Sequence, residues 1–129
     1  MFGILAPMTH QEKLQLRTSG HRDMHDITAE VAEIVERSQI RTGTANVFNI
    51  GSTACVGTIE YERGLASDLP AMLARLIPPS HSYGHELAWH DGNGHSHLQA
   101  TMMGPTHGSG AAVIFRSTFR IRPAVLCDR

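Results

Sequence analysis

The distribution of apolar and polar residues predicts a strand followed by a helix in the first third of the chain. From residue 12 to residue 18, leucines alternate with polar and charged residues, as in a half-buried β-strand. Over 27–38 the apolar residues recur at helical spacing, and Asp26 stands where an N-cap is expected. Glu33 and Arg37 are one helical turn apart, so we expect an ion pair on the solvent face.

The middle of the chain predicts two more strands, or one strand with a break, and a second helix. Val, Ile, Thr and Phe are concentrated in 44–59, in two short runs separated by a Gly-Ser pair. Leucines and a methionine then keep a period of about 3.6 residues over 65–76. Ser67 or Asp68 would cap this helix, Pro70 would lie in its first turn, and two consecutive prolines would stop it.

Further strands and a loop are predicted towards the C-terminal end. The strands would occupy 97–103, 111–119 and 124–127, and the loop 104–110. Strands interrupted by two helices, without regular strand–helix alternation, favour an α+β fold over a doubly wound sheet. A chain of 129 residues suits one core, so we expect a single domain over 1–129 with residues 1–10 as a loose extension.

Composition and charge argue against several classes of partner. The formal net charge is −1 and the basic residues are scattered, so the chain lacks the electrostatic footprint of a nucleic-acid-binding protein. No apolar stretch approaches the ~20 residues that cross a bilayer, and no secretory signal is recognisable, so we expect a cytoplasmic protein without membrane contact. Cys55 and Cys127 are far apart in sequence, and we expect two reduced thiols.

A dense group of histidines is the strongest chemical signal in the sequence. Its members are His81, His85, His90, His95 and His97. Neutral imidazole is a ligand for zinc and other transition metals, and its ordinary pKa of about 6.5 also suits acid–base catalysis. The group is compatible with either role, and with a loop whose histidines are only solvated.

A metal site would follow if these histidines converge. On a strand, His95 and His97 would share one face, and His85 or His90 could complete a three-ligand zinc site with one open position. Asp91-Gly-Asn-Gly94 forms turns readily and would fold the two histidine groups toward each other. Asp91 or Glu86 could then orient a ligating ring.

Acidic and hydroxyl side chains upstream are further candidates. Glu60, Glu62 and Asp68 lie between a strand and a helix, where a carboxylate can serve a site or stabilise a helix N-terminus. For Glu62 a role at the surface, outside any site, is favoured. Ser52 and Thr53 could present hydroxyls and backbone amides to an anion, or belong to a plain strand bend.

Several short motifs occur in a recognisable order. They are His25-Asp26-Ile27-Thr28, Ser52-Thr53-Ala54 followed by Glu60, Gly64-Leu65, Asp68-Leu69-Pro70, the run from His85 to Leu98, and Met103-Gly104-Pro105. Over residues 12 to 105 this arrangement resembles the YjbQ family, formerly uncharacterised and often labelled secondary thiamine-phosphate synthase.

The resemblance implies a fold, an assembly and a reaction. The fold would be α+β, with β-sandwich-like sheets and two main helices, assembled as a homotrimer with the site near a subunit interface. The reaction would join hydroxymethylpyrimidine diphosphate to thiazole phosphate and release pyrophosphate. The family's functional positions fall on His85, His97, Asp91, Glu60 and Asp68, while His95 matches a motif position that varies within the family.

Two positions depart from the usual family motifs. Gly51 stands where members usually have a histidine, so one of three histidines that could converge on a metal is missing. Ile59 replaces an asparagine, and the last quarter of the chain matches poorly. Two histidines hold a metal only with help from another donor, so we expect weaker metal binding than at a complete site.

Three functions follow from these observations. The first is weak thiamine-phosphate synthase-type activity, in which Ser52 and Thr53 hold departing pyrophosphate and Glu60 or a histidine manages protons. The second is a metal-assisted hydrolase or lyase for a small molecule, with His85 and His97 as ligands. The third is a non-catalytic ligand-binding or structural trimer with a degenerate site.

Overall fold

Helices dominate the computed structural model, which describes residues 8–104 and 106–107. The helices of this part are α1 (Thr28–Ser38), α2 (Arg63–Leu76), α3 (Glu86–Trp89) and α4 (Gly94–Met103), and its strands are β1 (Val47–Phe48) and β2 (Thr106–His107). The two strands pair antiparallel, with Val47 opposite His107.

Helix α1 confirms the helical period of 27–38. The Asp26 carboxylate accepts a hydrogen bond of 2.9 Å from the first backbone amide of the helix. Arg37 lies 3.8 Å from Glu33, as expected, and 2.7 Å from Glu12. The hydrogen bond from Arg37 is the main reason that the pKa of Glu12 falls to about 2. This contact attaches the N-terminal segment to α1.

The strand predicted at 12–18 is not formed within the described residues. The alternation nevertheless has a structural basis, because Leu16 packs on the apolar cluster that includes Ile27 and Val56. Leu14, the other leucine of the pattern, stays exposed. Alternation shows which side chains face a core, and a segment held through its side chains produces it without strand pairing.

Helix α2 begins at Arg63, two residues before the leucine period of 65–76 and more than one turn before the predicted caps. Its N-cap is Glu62, whose carboxylate accepts hydrogen bonds from the backbone amides of Leu65 and Gly64. These two bonds lower the pKa of Glu62, so of the two roles considered for this carboxylate the structure shows the one at a helix N-terminus. The prediction of Ser67 or Asp68 as the cap is wrong, because both residues lie inside the helix.

The C-terminal end of α2 is fixed by α4. Gln99 donates its side-chain amide to the carbonyl of Ile77 at 2.8 Å and to that of Leu73 at 3.4 Å. The Leu73 carbonyl also accepts the Ile77 amide at 2.8 Å, whereas the Ile77 carbonyl lies just past the helix end, where no helical amide follows to bond it. Pro70 is buried within α2 instead of lying in the first turn, and the helix stops at Leu76, before the two prolines, as predicted.

Helix α4 occupies the place of the strand predicted at 97–103, which is therefore wrong. Its buried residues are small or polar: Gly94, His95, Ser96, Gln99 and Ala100. A helix whose inner face is polar has no apolar stripe, so its period is invisible in the hydrophobic pattern. Residues two apart on a helix are separated by about 200°, so His95 and His97 point to different faces.

The core consists of two apolar clusters that meet at residues 54–56. The first contains Ile27, Val31 and Val56, and the second contains Cys55 and Leu73, with Ile59 and Met103 packed against it. Cys55 is completely buried, as expected for a thiol that fills space in a core.

The described residues thus form an α+β arrangement, as predicted, but with few strands and with α4 as a third main helix. The two strands, or one broken strand, predicted over 44–59 reduce to β1, since the Asn49 side-chain amide donates to the carbonyls of Gly51 and Ala54 and folds the chain back. The strands predicted at 111–119 and 124–127, together with Cys127, lie outside the described residues. In the described part, no helix combines the length and apolarity needed to span a membrane.

Replacing Leu73 by alanine should lower the free energy of unfolding by about 2–5 kcal/mol, because the substitution leaves a cavity in the core. The Leu73 side chain is 2% exposed. Leu76→Ala in the same helix is the control, since Leu76 is 62% exposed, and it should change the free energy by no more than about 0.5 kcal/mol. Urea unfolding followed by circular dichroism measures both; equal losses would contradict this assignment of the core.

Candidate functional site

The histidine run folds as two helices joined by a tight turn. Helix α3 is followed by its C-cap His90, which has a left-handed backbone conformation with φ of 55°, and Gly92 has a φ of 74°. These two residues reverse the chain between α3 and α4, so the turn predicted at residues 91–94 is confirmed. The reversal brings the start of the run close to its end.

His85, Asp91 and His97 come together at this reversal and form the candidate site. His85 Nε2 lies 3.3 Å from Asp91 Oδ1. The rings of His85 and His97 are 4.6 Å apart between centroids and tilted by 48°. All three side chains keep partial contact with solvent, so a small molecule can reach them.

The contact between His85 and Asp91 is close but lacks hydrogen-bond geometry. Although the two atoms are 3.3 Å apart, His85 Nε2 is shielded from solvent and makes no hydrogen bond within the described part of the chain. A buried ring nitrogen without a partner is available to a ligand, as an acceptor in neutral imidazole or as a donor in imidazolium. The arrangement can therefore bind a polar ligand atom or exchange a proton with it.

Glu86 holds the turn that carries Asp91. Its side chain is 7% exposed. One carboxylate oxygen accepts the Gly92 amide at 2.7 Å and the other accepts the Gly94 amide at 3.1 Å. The bond from Gly92 is the main cause that lowers the pKa of Glu86. The sequence suggested that Glu86 orients a ligating ring, whereas the structure shows that its hydrogen bonds orient the backbone.

His95 lies apart from this group. Its side chain is 6% exposed, and its ring meets that of His21 edge to face, with 4.7 Å between centroids. Burial is the main reason that the pKa values of both histidines are lowered, so both are held neutral near pH 7. His95 Nε2 lies 3.3 Å from Ser96 Oγ. The expectation that His95 and His97 share one face is therefore wrong, because α4 is a helix.

The remaining predicted site residues lie outside the contacts of His85, Asp91 and His97. Glu60 and Asp68 have exposed side chains, and no hydrogen bond or ion pair within the described residues joins them to the site. Ser52 is exposed and Thr53 half-buried, in a bend after β1. This placement fits the reading of Ser52 and Thr53 as part of a bend.

The described residues do not by themselves provide a complete set of metal ligands. No three His, Cys, Asp or Glu side chains among them converge in an arrangement that would hold a metal ion. His85 and His97 are close enough to serve as a pair of ligands, but a third donor would have to come from elsewhere. Zinc binding by His85, His97 and His95 stays a prediction.

Replacing Glu86 by glutamine should destabilise the protein at pH 7, because an amide has one acceptor oxygen for two backbone amides. The folded-state pKa of Glu86 is lowered, so its contribution exists above the unfolded pKa of about 4.3 and is lost as the pH falls through the folded pKa. The difference in unfolding free energy between wild type and Glu86→Gln should therefore shrink below pH 4. Urea unfolding at several pH values measures it.

Glu60→Gln is the control for this prediction, since Glu60 is exposed and its side chain makes no comparable bonds within the described residues. It should leave the unfolding free energy close to that of the wild type at each pH. A Glu86→Gln difference that stays constant from pH 7 to pH 3 would show that the carboxylate charge does not stabilise the turn.

Comparison with known sequences agrees with the motif resemblance. The family described as UPF0047 protein YjbQ-like matches residues 12–108. A UPF0047 protein of Methanothermobacter thermautotrophicus is 40% identical over 95 residues, which are 74% of this chain and 65% of that protein. A UPF0047 protein of Archaeoglobus fulgidus is 33% identical over 92 residues, 71% of this chain and 69% of that protein. This chain thus spans only about two thirds of the length of these relatives.

Solved structures share the fold. A YbjQ-like protein of unknown function from Sulfolobus solfataricus superposes with a TM-score of 0.71 and 31% identity, covering 87% of this chain and 80% of that one. A hypothetical protein from Aeropyrum pernix gives a TM-score of 0.73 at 23% identity, covering 88% of this chain and 83% of that one. The sequence match extends over both core clusters and the histidine run, and the chain belongs to the YjbQ-like UPF0047 family.

Proposed function

We propose that this chain is an enzyme that acts on a small molecule at the site formed by His85, Asp91 and His97. The observation that carries the proposal is the 3.3 Å separation of His85 Nε2 and Asp91 Oδ1, with the His97 ring 4.6 Å from that of His85. A carboxylate beside an imidazole orients the ring and stabilises its protonated form, which is what general acid–base catalysis requires.

The reaction we propose is a weak thiamine-phosphate synthase-type condensation, in line with the family resemblance. The thiazole nitrogen forms a bond to the methylene carbon of hydroxymethylpyrimidine diphosphate. The bond from that carbon to the diphosphate oxygen breaks, and its electron pair leaves with pyrophosphate. In this proposal His85, protonated and supported by Asp91, stabilises the negative charge that develops on the leaving group.

The other candidate residues have more limited roles in this proposal. Glu60 and Asp68 are exposed and make no bond to the histidines within the described residues, so we assign proton management to His85. Ser52 and Thr53 remain candidates for holding the departing pyrophosphate, because a bend can offer hydroxyls and backbone amides to an anion.

Zinc is an additional component that the two neighbouring imidazoles would accept. His85 and His97 would hold it, and it would polarise a bound oxygen atom. No step above depends on it, because the described residues provide no third donor in reach. The resemblance puts a third histidine at Gly51, where an added Cβ would have its nearest neighbour, Asn49 Nδ2, at 3.5 Å.

We further propose a homotrimer with the site near a subunit interface, and a β-sandwich-like sheet larger than the pair β1 and β2. Support comes from apolar side chains such as Phe48 and Ile50, which are largely exposed beside β1. Exposed apolar groups on neighbouring positions are typical of surfaces that another element or subunit covers. Light scattering coupled to size exclusion should give the mass of three chains; a monomer mass would contradict the assembly.

Purified protein should convert hydroxymethylpyrimidine diphosphate and thiazole phosphate into thiamine phosphate and an equal amount of pyrophosphate. His85→Ala should lower kcat by about 100-fold or more, since it removes the group proposed to stabilise the negative charge on the leaving group, and Asp91→Asn should lower it to a smaller extent. Thiamine phosphate is measured by its fluorescence after chemical oxidation, and pyrophosphate is measured independently by a coupled assay.

His90→Asn is the matched control for these variants. His90 belongs to the same turn but is exposed, and asparagine tolerates its left-handed backbone. It should retain wild-type kcat. Unchanged condensation in His85→Ala would sink the proposed role of His85, and a folded trimer without any condensation would favour the non-catalytic alternative.

The variant Gly51→His tests whether a metal contributes to the reaction in addition to His85 and Asp91. If the added histidine completes a metal site, zinc should then raise the activity of this variant more than that of the wild type. The parallel change Ile59→Asn is unsuitable, because Ile59 packs against Cys55 and Leu73 and an amide there would be buried among apolar groups.

A further inference from the structure

Trp89, the last residue of α3, lies beside the candidate site and has no role in the reaction proposed above. Its side chain is 70% exposed. Its ring is nearly parallel to that of His85, with 21° between the planes and 6.4 Å between the centroids. It is the only tryptophan in the chain.

The backbone around Trp89 is firmly held. Its amide donates to the His85 carbonyl at 3.1 Å, and the next amide, of His90, donates to the Glu86 carbonyl at 3.2 Å. Glu86 in turn is bonded to the turn before α4. A tryptophan side chain has only two rotatable bonds, so it loses little conformational freedom when a ligand packs on it. The indole is thus a flat apolar surface already placed next to polar groups.

We infer that Trp89 is the stacking surface for a planar heteroaromatic ring of the ligand. The location of the ligand rests on the function proposed above, and the inference adds the residue that recognises its ring. Indole faces bind other aromatic rings by offset stacking, and His85 and Asp91 can exchange hydrogen bonds with ring nitrogens and substituents. Leu87, also in α3, is more exposed than Trp89, at 84%. Its aliphatic side chain has no flat aromatic face on which a ring could stack.

Isothermal titration calorimetry with two probes tests this inference. Hydroxymethylpyrimidine has the ring without phosphate, and inorganic pyrophosphate has phosphate without a ring. Trp89→Ala should weaken pyrimidine binding about tenfold, and Trp89→Phe should weaken it less because phenylalanine keeps an aromatic face. Leu87→Ala, on the same helix, is the matched control and should bind as the wild type does. Pyrophosphate binding should be the same in all four proteins.

Fluorescence gives an independent measurement, since the emission of the wild type comes from a single indole. The pyrimidine should quench this emission with the dissociation constant found by calorimetry, and pyrophosphate should quench it much less. Quenching that follows the same binding curve supports direct contact between the ring and Trp89.

Three results would overturn the inference: no pyrimidine binding by the wild type, equal pyrimidine binding by Trp89→Ala, or loss of both probes together with a change in oligomeric mass. The last would show that Trp89 supports a subunit contact. The proposed function can fail separately. If pyrimidine binding depends on Trp89 but no condensation occurs, the function is wrong and the role of Trp89 stands. If Trp89→Ala catalyses the condensation with the wild-type KM for the pyrimidine substrate, the function stands and the role of Trp89 is wrong.

Discussion

The two hydrogen bonds from the Gly92 and Gly94 amides to the Glu86 carboxylate determine the geometry of the histidine segment. Glu86 is the first residue of α3 and Gly94 the first of α4, so one side chain joins the beginnings of both helices. Asp91 lies in the turn between them and is thereby brought to His85. The space is tight, because a Cβ at Gly94 would meet Tyr83 Cβ at 2.9 Å and Glu86 Oε1 at 3.1 Å. The conformation of the turn and the approach of Asp91 to His85 therefore both depend on the hydrogen bonds of the Glu86 carboxylate.

The fold could be predicted from the sequence where apolar periodicity and burial coincide. Helices α1 and α2 have apolar inner faces, and both were predicted at nearly their observed bounds. Helix α4 could not be predicted in this way, because it buries polar groups such as His95 and Gln99 and pairs them with the ends of other elements. The N-cap of α2 was also missed, since a glutamate in extended backbone is a less common cap than serine or aspartate.

The candidate site was predictable in part. The turn-forming residues 91–94 predicted that the two histidine groups would approach each other, and the family resemblance selected His85 and His97, whose rings lie 4.6 Å apart. The assignment of His95 failed with the strand on which it depended. Glu86 was predicted to orient a histidine ring, whereas it bonds backbone amides. The position of Trp89 beside His85 could not be predicted, because the orientation of its ring depends on where the short helix α3 ends.

Ile59 links a departure from the family motifs to the packing of the core. Its half-buried side chain packs against the cluster of Cys55 and Leu73. The asparagine that the family resemblance implies would place an amide against apolar groups, at a cost of up to about 1–3 kcal/mol where the amide finds no hydrogen bond. A substitution at residue 59 therefore changes the stability of the core together with any chemistry at this position.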